Sequence, residues 1–450
     1  MEDPPARPSA YDGLTFRLSF GSGVESVKAD SASIFGFSTG WARNYEPERD
    51  REQHTHARRK RRTLHLGRVT EIEIKVRQQH NTEMGYSQTM VEEVTTEEQI
   101  LPEEVEKLIK HACFTDAYDA SVEIIRIPHP YSEEATLECI HYPARPTHHS
   151  NTSPLKKPIL FVHGAFHGAW CFGLLQQYYQ SRGIDTYAIS LRNHGTSFKS
   201  NWAAATHIGH LAYDVEVAVR HLFGEEKDID GEKVQTVRPY ILVGHSVGGA
   251  VVQRFVSYHS HPTLWNTPAC ILPACLVTLF AFSPVSPQVT WMRNWWNLHP
   301  WAFINAFFRI RPKCVFDGPE LVRDGFFTEK TPQPIVDACQ ARLEEDESLA
   351  FMIDLTFQPV FYAGPRAAQK LGTDSNSPLR NKIIVMGATE DKIITKEIWD
   401  LAAQTYGQEA VVVDGVGHNG FLDLQWEKVA MELEENIVEA LRQTGSQRRE

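Results

Sequence analysis

The chain has 450 residues, of which 42% are hydrophobic, enough to build a large core. Its 45 basic and 57 acidic residues leave a net charge of −12, a poor match for a nucleic-acid partner. Met1-Glu2-Asp3-Pro4-Pro5 is unlike a signal peptide, the longest apolar run is broken by Pro273 and too short for a membrane span, and seven cysteines without metal-ligand spacing suit buried thiols. These features lead to the expectation of a cytoplasmic protein with no metal and no cofactor.

Residues 1–120 read as an N-terminal extension, poorly ordered and largely irregular, with weak periodicity. A charge-rich run from Arg49 to Arg68 contains Arg58-Arg59-Lys60-Arg61-Arg62. Such runs are most often solvated loops, although a nuclear localisation signal has the same composition. One helix is expected after Leu101: Pro102 suits the first helical position, Glu103 and Glu104 complement the N-terminal dipole, and Val105, Leu108, Ile109 and Ala112 follow at helical spacing.

Regular alternation begins near Ser121. "VEIIRIPHP" and "ATLECIHYPA" predict two strands joined by a turn at Pro130 to Glu134, and Ile159-Leu160-Phe161-Val162 predicts a strand buried on both faces. "GIDTYAISLRNHG", "RPYILVGHS", "CLVTLFAFSPV", "NKIIVMGATED" and "EAVVVDGVGHNG" predict further strands. Helices are expected over 206–223, over "VGGAVVQRFVSYH", over Lys396 to Tyr406 and over Leu424 to Leu441. Strands alternating with helices predict an α/β fold with a mostly parallel central sheet flanked by helices.

Within that alternation, Gly244-His245-Ser246-Val247-Gly248 places a lone serine between an apolar strand and an apolar helix. The glycines permit a tight, strained turn that projects the hydroxyl from the sheet edge, the geometry of a nucleophile elbow. A serine hydroxyl needs a base, and the base needs an acid to orient it. Both follow in the expected order at strand ends: Asp391 after "KIIVMG", with adjacent Glu390 as the rival carboxylate, and His418 after "AVVVDG". The oxyanion is expected on the backbone N–H of Val247 and on that of Ala165 in "FVHGAFHG", with Phe166 close behind on the substrate side. His163 and His167 are read as shaping this loop, His245 as packing under the elbow, Asp414 and Asp423 as structural, and Asn193-His194-Gly195 as a loop near the substrate.

His163-Gly164-Ala165, the Ser246 elbow, Gly387 to Asp391 and Gly417-His418 together resemble the α/β-hydrolase fold superfamily, from about residue 120 to about 442. "HGAFHGAW" also resembles the oxyanion loop of plant-type methylesterases and hydroxynitrile lyases. The resemblance implies cofactor-free hydrolysis of carboxylic esters, thioesters or amides. It leaves a catalytic domain over 121–285 and 378–450, interrupted by a helical cap over 286–377. The cap carries "WMRNWWNLHPWAFINAFF", in which Trp291 and Trp295 share a helix face and Trp296 lies beside it. Most of these aromatics are expected to pack on the main domain, with Trp295 and Trp296 facing an apolar substrate. Arg293, Arg309, Arg311 and Lys313 are also compatible with a lid that touches a membrane surface.

The expected function is therefore that of a serine esterase acting on a hydrophobic small-molecule ester through an acyl-enzyme, with Ser246, His418 and Asp391 as nucleophile, base and acid. A thioesterase or acyltransferase, a lyase or carbon–carbon hydrolase using the same triad, and a non-catalytic binding protein are the rivals. His418 and Asp423 form H-x-x-x-x-D, an acyltransferase spacing, but this histidine is already claimed by the triad.

Overall fold

A computed structural model describes residues 76–80, 87–91, 103–111, 121–145, 153–229, 231–265, 267, 270–285, 289–309, 312–344 and 347–446. The basic run Arg58 to Arg62 and Arg311 lie outside the described residues, as do the side chains of Phe303, Phe307, Phe308 and Arg309. Of the expected N-terminal extension, the described parts are a helix and a hairpin. In the hairpin, strand β1 (Val76–His80) pairs antiparallel with β2 (Ser87–Val91). This hairpin belongs to a unit of its own, and the remaining elements belong to a second, larger one.

In the larger unit the chain runs through α1 (Glu103–His111), β3 (Glu123–Pro128), β4 (Thr136–Tyr142), β5 (Ile159–Val162), α2 (Gly173–Ser181), β6 (Thr186–Ser190) and α3 (Ile208–Phe223). It continues through β7 (Gly224–Ile229), β8 (Glu232–Val237), β9 (Ile241–His245), α4 (Val247–His259) and β10 (Cys275–Leu279). Six helices then intervene: α5 (Val289–Leu298), α6 (Pro300–Arg309), α7 (Pro319–Phe326), α8 (Gln333–Arg342), α9 (Leu349–Phe357) and α10 (Pro365–Thr373). The chain returns to the sheet with β11 (Ile383–Ala388), α11 (Lys396–Tyr406), β12 (Val411–Val413) and α12 (Trp426–Ser446).

Eight strands form one sheet in the order β12-β11-β10-β9-β5-β6-β4-β3. From β12 to β6 the strands are parallel, and β4 and β3 extend the edge antiparallel. The reason is visible in the residues. β5, β6, β9 and β10 are buried along their whole length, as parallel strands covered by helices on both faces must be. β3 instead alternates exposed and covered positions, as an edge strand does. Helix α2 packs against α12 and helix α3 against α4. Helix α1 is tied to the body, with Val105 and Leu108 buried and the helix packed on α8.

The β7–β8 hairpin is absent from the reading of the sequence. Its strands, "GEEKDI" and "EKVQTV", are charged on both faces and show no period-two apolar pattern. The one local cue is the Asp-Gly pair at its tip, where Gly231 takes a φ of 84°.

Candidate active site

The carboxyl ends of β5, β9, β11 and β12 all open on one edge of the sheet, and each contributes one part of the site. At the end of β9 the chain turns directly into α4 through Ser246, whose φ and ψ are 53° and −119°. A non-glycine residue there is strained, and the surroundings hold it in place. Its N–H donates to the Leu279 carbonyl at 3.1 Å, and its own carbonyl accepts from Gly249 at 3.0 Å. The turn also needs its glycines. A Cβ on Gly244 would lie 2.5 Å from the Gly248 carbonyl oxygen, and one on Gly248 would lie 2.3 Å from the His163 carbonyl oxygen.

After β11, Asp391 is buried and points one carboxylate oxygen, Oδ1, at two backbone donors, the N–H groups of Ile393 and Ile394, both at 2.8 Å. The other oxygen, Oδ2, accepts the Nδ1–H of His418 at 2.6 Å. Glu390, next in sequence, is exposed. Nδ1 of His418 is thus committed to Asp391, which leaves Nε2 to accept a proton. His418 is held from below as well. The Nε2–H of His245 donates to its carbonyl at 3.0 Å, and Phe326 stacks on its ring at 5.9 Å. Asp423 accepts the hydroxyl of Thr331 at one oxygen and the N–H of Leu424 at the other, 2.7 Å away.

The loop after β5 packs against the elbow, since a Cβ on Gly164 would lie 2.9 Å from the Cβ of Ser246. Its two histidines are backbone clamps. His163 donates from Nδ1 to the Gly164 carbonyl at 2.8 Å and accepts at Nε2 from the Leu191 N–H at 3.0 Å. His167 donates from Nδ1 to the Ala165 carbonyl at 2.7 Å and accepts at Nε2 from the Asn419 amide at 3.0 Å. Each ring therefore carries one proton. Burial pushes His163 well below the ordinary imidazole range and His167 down to about 4. His245 is likewise lowered by burial and then by the neighbouring His418.

The N–H groups of Ala165 and Val247 have no partner among the described residues, and that of Val247 heads α4, where no intrahelical acceptor exists. The Phe166 N–H, by contrast, is taken by the carboxylate of Glu347 at 2.7 Å. Phe166 itself is buried, with its ring edge-on to Phe316 at 5.1 Å. Trp295 is buried against the same Phe316 at 5.1 Å, whereas Trp296 is 50% exposed. Phe316 stacks on Phe326 at 4.2 Å, so an aromatic chain runs from Trp295 to His418.

The sequence reading did not single out Phe316, Phe326, Asn419 or Glu347. The two phenylalanines carry no motif, and Glu347 lies in the acidic string "LEEDES", which looks like a solvated surface turn. Among the described residues, no group of three or more His, Cys, Asp or Glu side chains is arranged to hold a metal ion. No helix among them is long and apolar enough to cross a membrane.

A family model described as "Alpha/beta hydrolase family" matches residues 159–432. The pFDCC methylesterase MES16 of Arabidopsis thaliana is 31% identical over 93 residues, which cover 21% of this chain and 30% of that enzyme's length. Among solved structures, an esterase from Exiguobacterium antarcticum is similar at a TM-score of 0.48 and 14% identity, covering 70% of this chain and 98% of its own. An aryl esterase, so described, from Burkholderia cenocepacia is similar at 0.46 and 16% identity, covering 71% and 100%. With the family match spanning the six parallel strands of the sheet, the elbow and both partner loops, the chain belongs to the alpha/beta hydrolase family.

Proposed function

We propose that this protein is a serine esterase that cleaves a carboxylic ester of a hydrophobic substrate through an acyl-enzyme. The observation that carries the reading is the 2.6 Å bond between His418 Nδ1 and Asp391, in a site where Ser246 tops a strained strand-to-helix turn. In the proposed reaction His418 Nε2 takes the proton of the Ser246 hydroxyl as its oxygen attacks the ester carbonyl. The oxyanion sits on the N–H groups of Ala165 and Val247. His418 returns the proton to the departing alcohol, then deprotonates a water that releases the acid. Asp391 holds the imidazole in the tautomer this cycle needs.

The hydrophobic substrate class is supported by the rings of Phe166, Phe316 and Phe326 beside the triad. Residues 286–377 are proposed as a cap over the pocket, consistent with the contact of Phe326 with His418. The partial similarity to a methylesterase points to ester rather than amide substrates.

A fluorophosphonate probe and a series of p-nitrophenyl esters of rising chain length test the reading together. The intact protein is expected to be labelled at Ser246 and to hydrolyse the esters, and Ser246→Ala to do neither. A wild-type protein that stays unlabelled, or an alanine variant that keeps its turnover, would overturn it.

A further inference from the structure

Glu347 stands in the connection between α8 and α9, 181 residues along the chain from the loop after β5, yet it is built into that loop. Its side chain is buried. One oxygen, Oε2, accepts the N–H of Phe166 at 2.7 Å and faces Nε2 of His194 at 3.2 Å, while Oε1 accepts the N–H of Ser348 at 3.0 Å. His194 also points Nδ1 at the Arg192 carbonyl at 3.0 Å. A nitrogen facing a carbonyl and another facing a carboxylate both carry protons, so His194 is an imidazolium and Glu347 its counter-ion. Burial alone would make this imidazole less basic, but the charge and hydrogen bond of Glu347, joined by the Arg192 carbonyl and the charge of Glu344, outweigh it and raise its pKa.

The consequence lies one peptide away. The peptide between Ala165 and Phe166 is gripped from both sides: His167 Nδ1–H holds its carbonyl at 2.7 Å and Glu347 holds its N–H at 2.7 Å. The preceding peptide has its carbonyl, that of Gly164, tied to His163 Nδ1–H at 2.8 Å. In a trans peptide the N–H opposes the carbonyl, so the Ala165 N–H is turned away from His163. Phe166 accepts a φ of 64° in this arrangement, a conformation that a bulky side chain avoids unless its neighbours impose it. The Glu344 N–H donates to the Phe166 carbonyl at 2.8 Å, and its carboxylate accepts the Gly195 N–H at 2.9 Å, so a second bond from the same connection closes on the same loop.

We propose that Glu347 is a positioning residue for the oxyanion hole: from the connection between α8 and α9 it fixes the Ala165–Phe166 peptide, and through it the adjoining peptide whose Ala165 N–H is aimed at the developing negative charge. This rests on the reading of Ala165 as an oxyanion donor. It makes the inserted segment part of the catalytic geometry as well as a cover for the pocket. A rival role, a buried ion pair that only stabilises the fold, predicts a different pattern of variants.

Glu347→Asp keeps a negative charge in the neighbourhood of His194 but draws the shared oxygen back from the Phe166 N–H and from His194 Nε2 alike. Glu347→Gln keeps the length and an oxygen for that N–H but loses the charge. Both full-length variants and the wild type would be compared in kcat and KM on one p-nitrophenyl ester and in the rate of fluorophosphonate labelling, with melting temperatures alongside. Positioning predicts that the aspartate variant loses tenfold or more in kcat with KM within threefold, that labelling slows in parallel, and that the glutamine variant keeps at least fivefold more kcat than the aspartate one. The reverse order, equal losses, no loss in either, or a loss confined to KM would overturn the proposal while leaving the esterase reading in place. Failure of the wild-type Ser246 to react with the probe would overturn both.

Discussion

Asp391 and His418 meet through a 2.6 Å hydrogen bond whose acceptor oxygen, Oδ2, is free to serve it because the carboxylate's other oxygen is already spoken for by Ile393 and Ile394. The division of labour suits an aspartate to the role of the proposed acid at this position. The short side chain can reach two donors of its own turn and still present its second oxygen to a ring on the next strand's loop. Asp391→Asn keeps the shape but puts an amide where the Nδ1–H must be accepted, so the wrong tautomer is favoured. The expected loss in kcat is about 10⁴-fold, and similar or larger for Ser246→Ala and His418→Ala. Glu390→Gln, at an exposed carboxylate, is expected to change kcat less than twofold. Steady-state kinetics on one ester decide between them: a severe Glu390→Gln with a mild Asp391→Asn would move the acid by one residue.

The parts of this site that are legible in the sequence are those with a local cause. Ser246 is marked by glycines that close backbone contacts demand, and Asp391 and His418 each follow an apolar strand of the parallel sheet, in the chain order the family resemblance implies. Helix α11 spans the same residues, Lys396 to Tyr406, that its periodicity marks out. What escapes is set by distant contact. Glu347 looks like a solvated acid until the fold buries it against Phe166 and His194. Phe316 and Phe326 look like ordinary apolar residues until stacking brings them to His418. The strands β7 and β8 escape because their pairing is carried by backbone bonds and a tight turn, with no apolar face to betray it.

Acid should weaken the fold around this site. His163, His167 and His245 are buried as neutral rings with lowered pKa values, that of His167 about 4 against about 6.5 when unfolded. Between those values the unfolded chain binds more protons than the folded one, so stability rises with pH and is lost as pH falls from 6.5 toward 4. Each such histidine contributes a loss of up to about 1.4 kcal/mol per pH unit in that window. His194 has the opposite sign, since its pKa is raised: its contribution is full below 6.5 and is lost as pH climbs through the raised value. Below 6.5 the raised ring adds no slope, so the three lowered rings set the trend and the melting temperature is expected to fall steadily from pH 6.5 to 4.5. His167→Gln, which removes one titrating group, is expected to flatten that slope. A melting temperature that is level across the range would contradict the neutral assignment.

Helix α1 divides the N-terminal stretch into two parts with different expected weight. A chain starting at residue 96 retains α1 and every residue of the candidate site, and is expected to keep its kcat within about twofold. A chain starting at residue 121 loses Val105 and Leu108 from the surface of α8. Re-exposing what those two side chains cover costs about 1.5–3 kcal/mol for each fully buried residue. The second truncation should therefore melt several degrees lower than the first while showing the same ester preference at low temperature. Equal melting temperatures would mean that α1 contributes nothing to the body.

Trp295 and Trp296 are neighbours in sequence with opposite surroundings, and replacing each by alanine separates packing from recognition. Trp295 is buried edge-on to Phe316, and its ring also fills the space over Gly325, where a Cβ would come within 3.0 Å of it. Its removal leaves a cavity under the ring chain that ends on His418. Such truncations cost about 3–5 kcal/mol, and the site can recover part of that only by letting Phe316 and Phe326 shift. A shift there moves a wall of the proposed pocket. Trp295→Ala is thus expected to lower the melting temperature and also to lower kcat/KM for long esters relative to acetate by about 1–3 kcal/mol of transition-state binding. Trp296 is half-exposed, so its removal opens no comparable cavity, and the melting temperature should stay within about two degrees. Its effect on the long-to-short ratio then reads recognition alone. A lower ratio in Trp296→Ala would assign its indole to the substrate, and an unchanged ratio would leave the apolar preference to Phe166, Phe316 and Phe326. If Trp295→Ala melted early with its ratio unchanged, the ring chain would be core packing and the hydrophobic-substrate reading would lose that support.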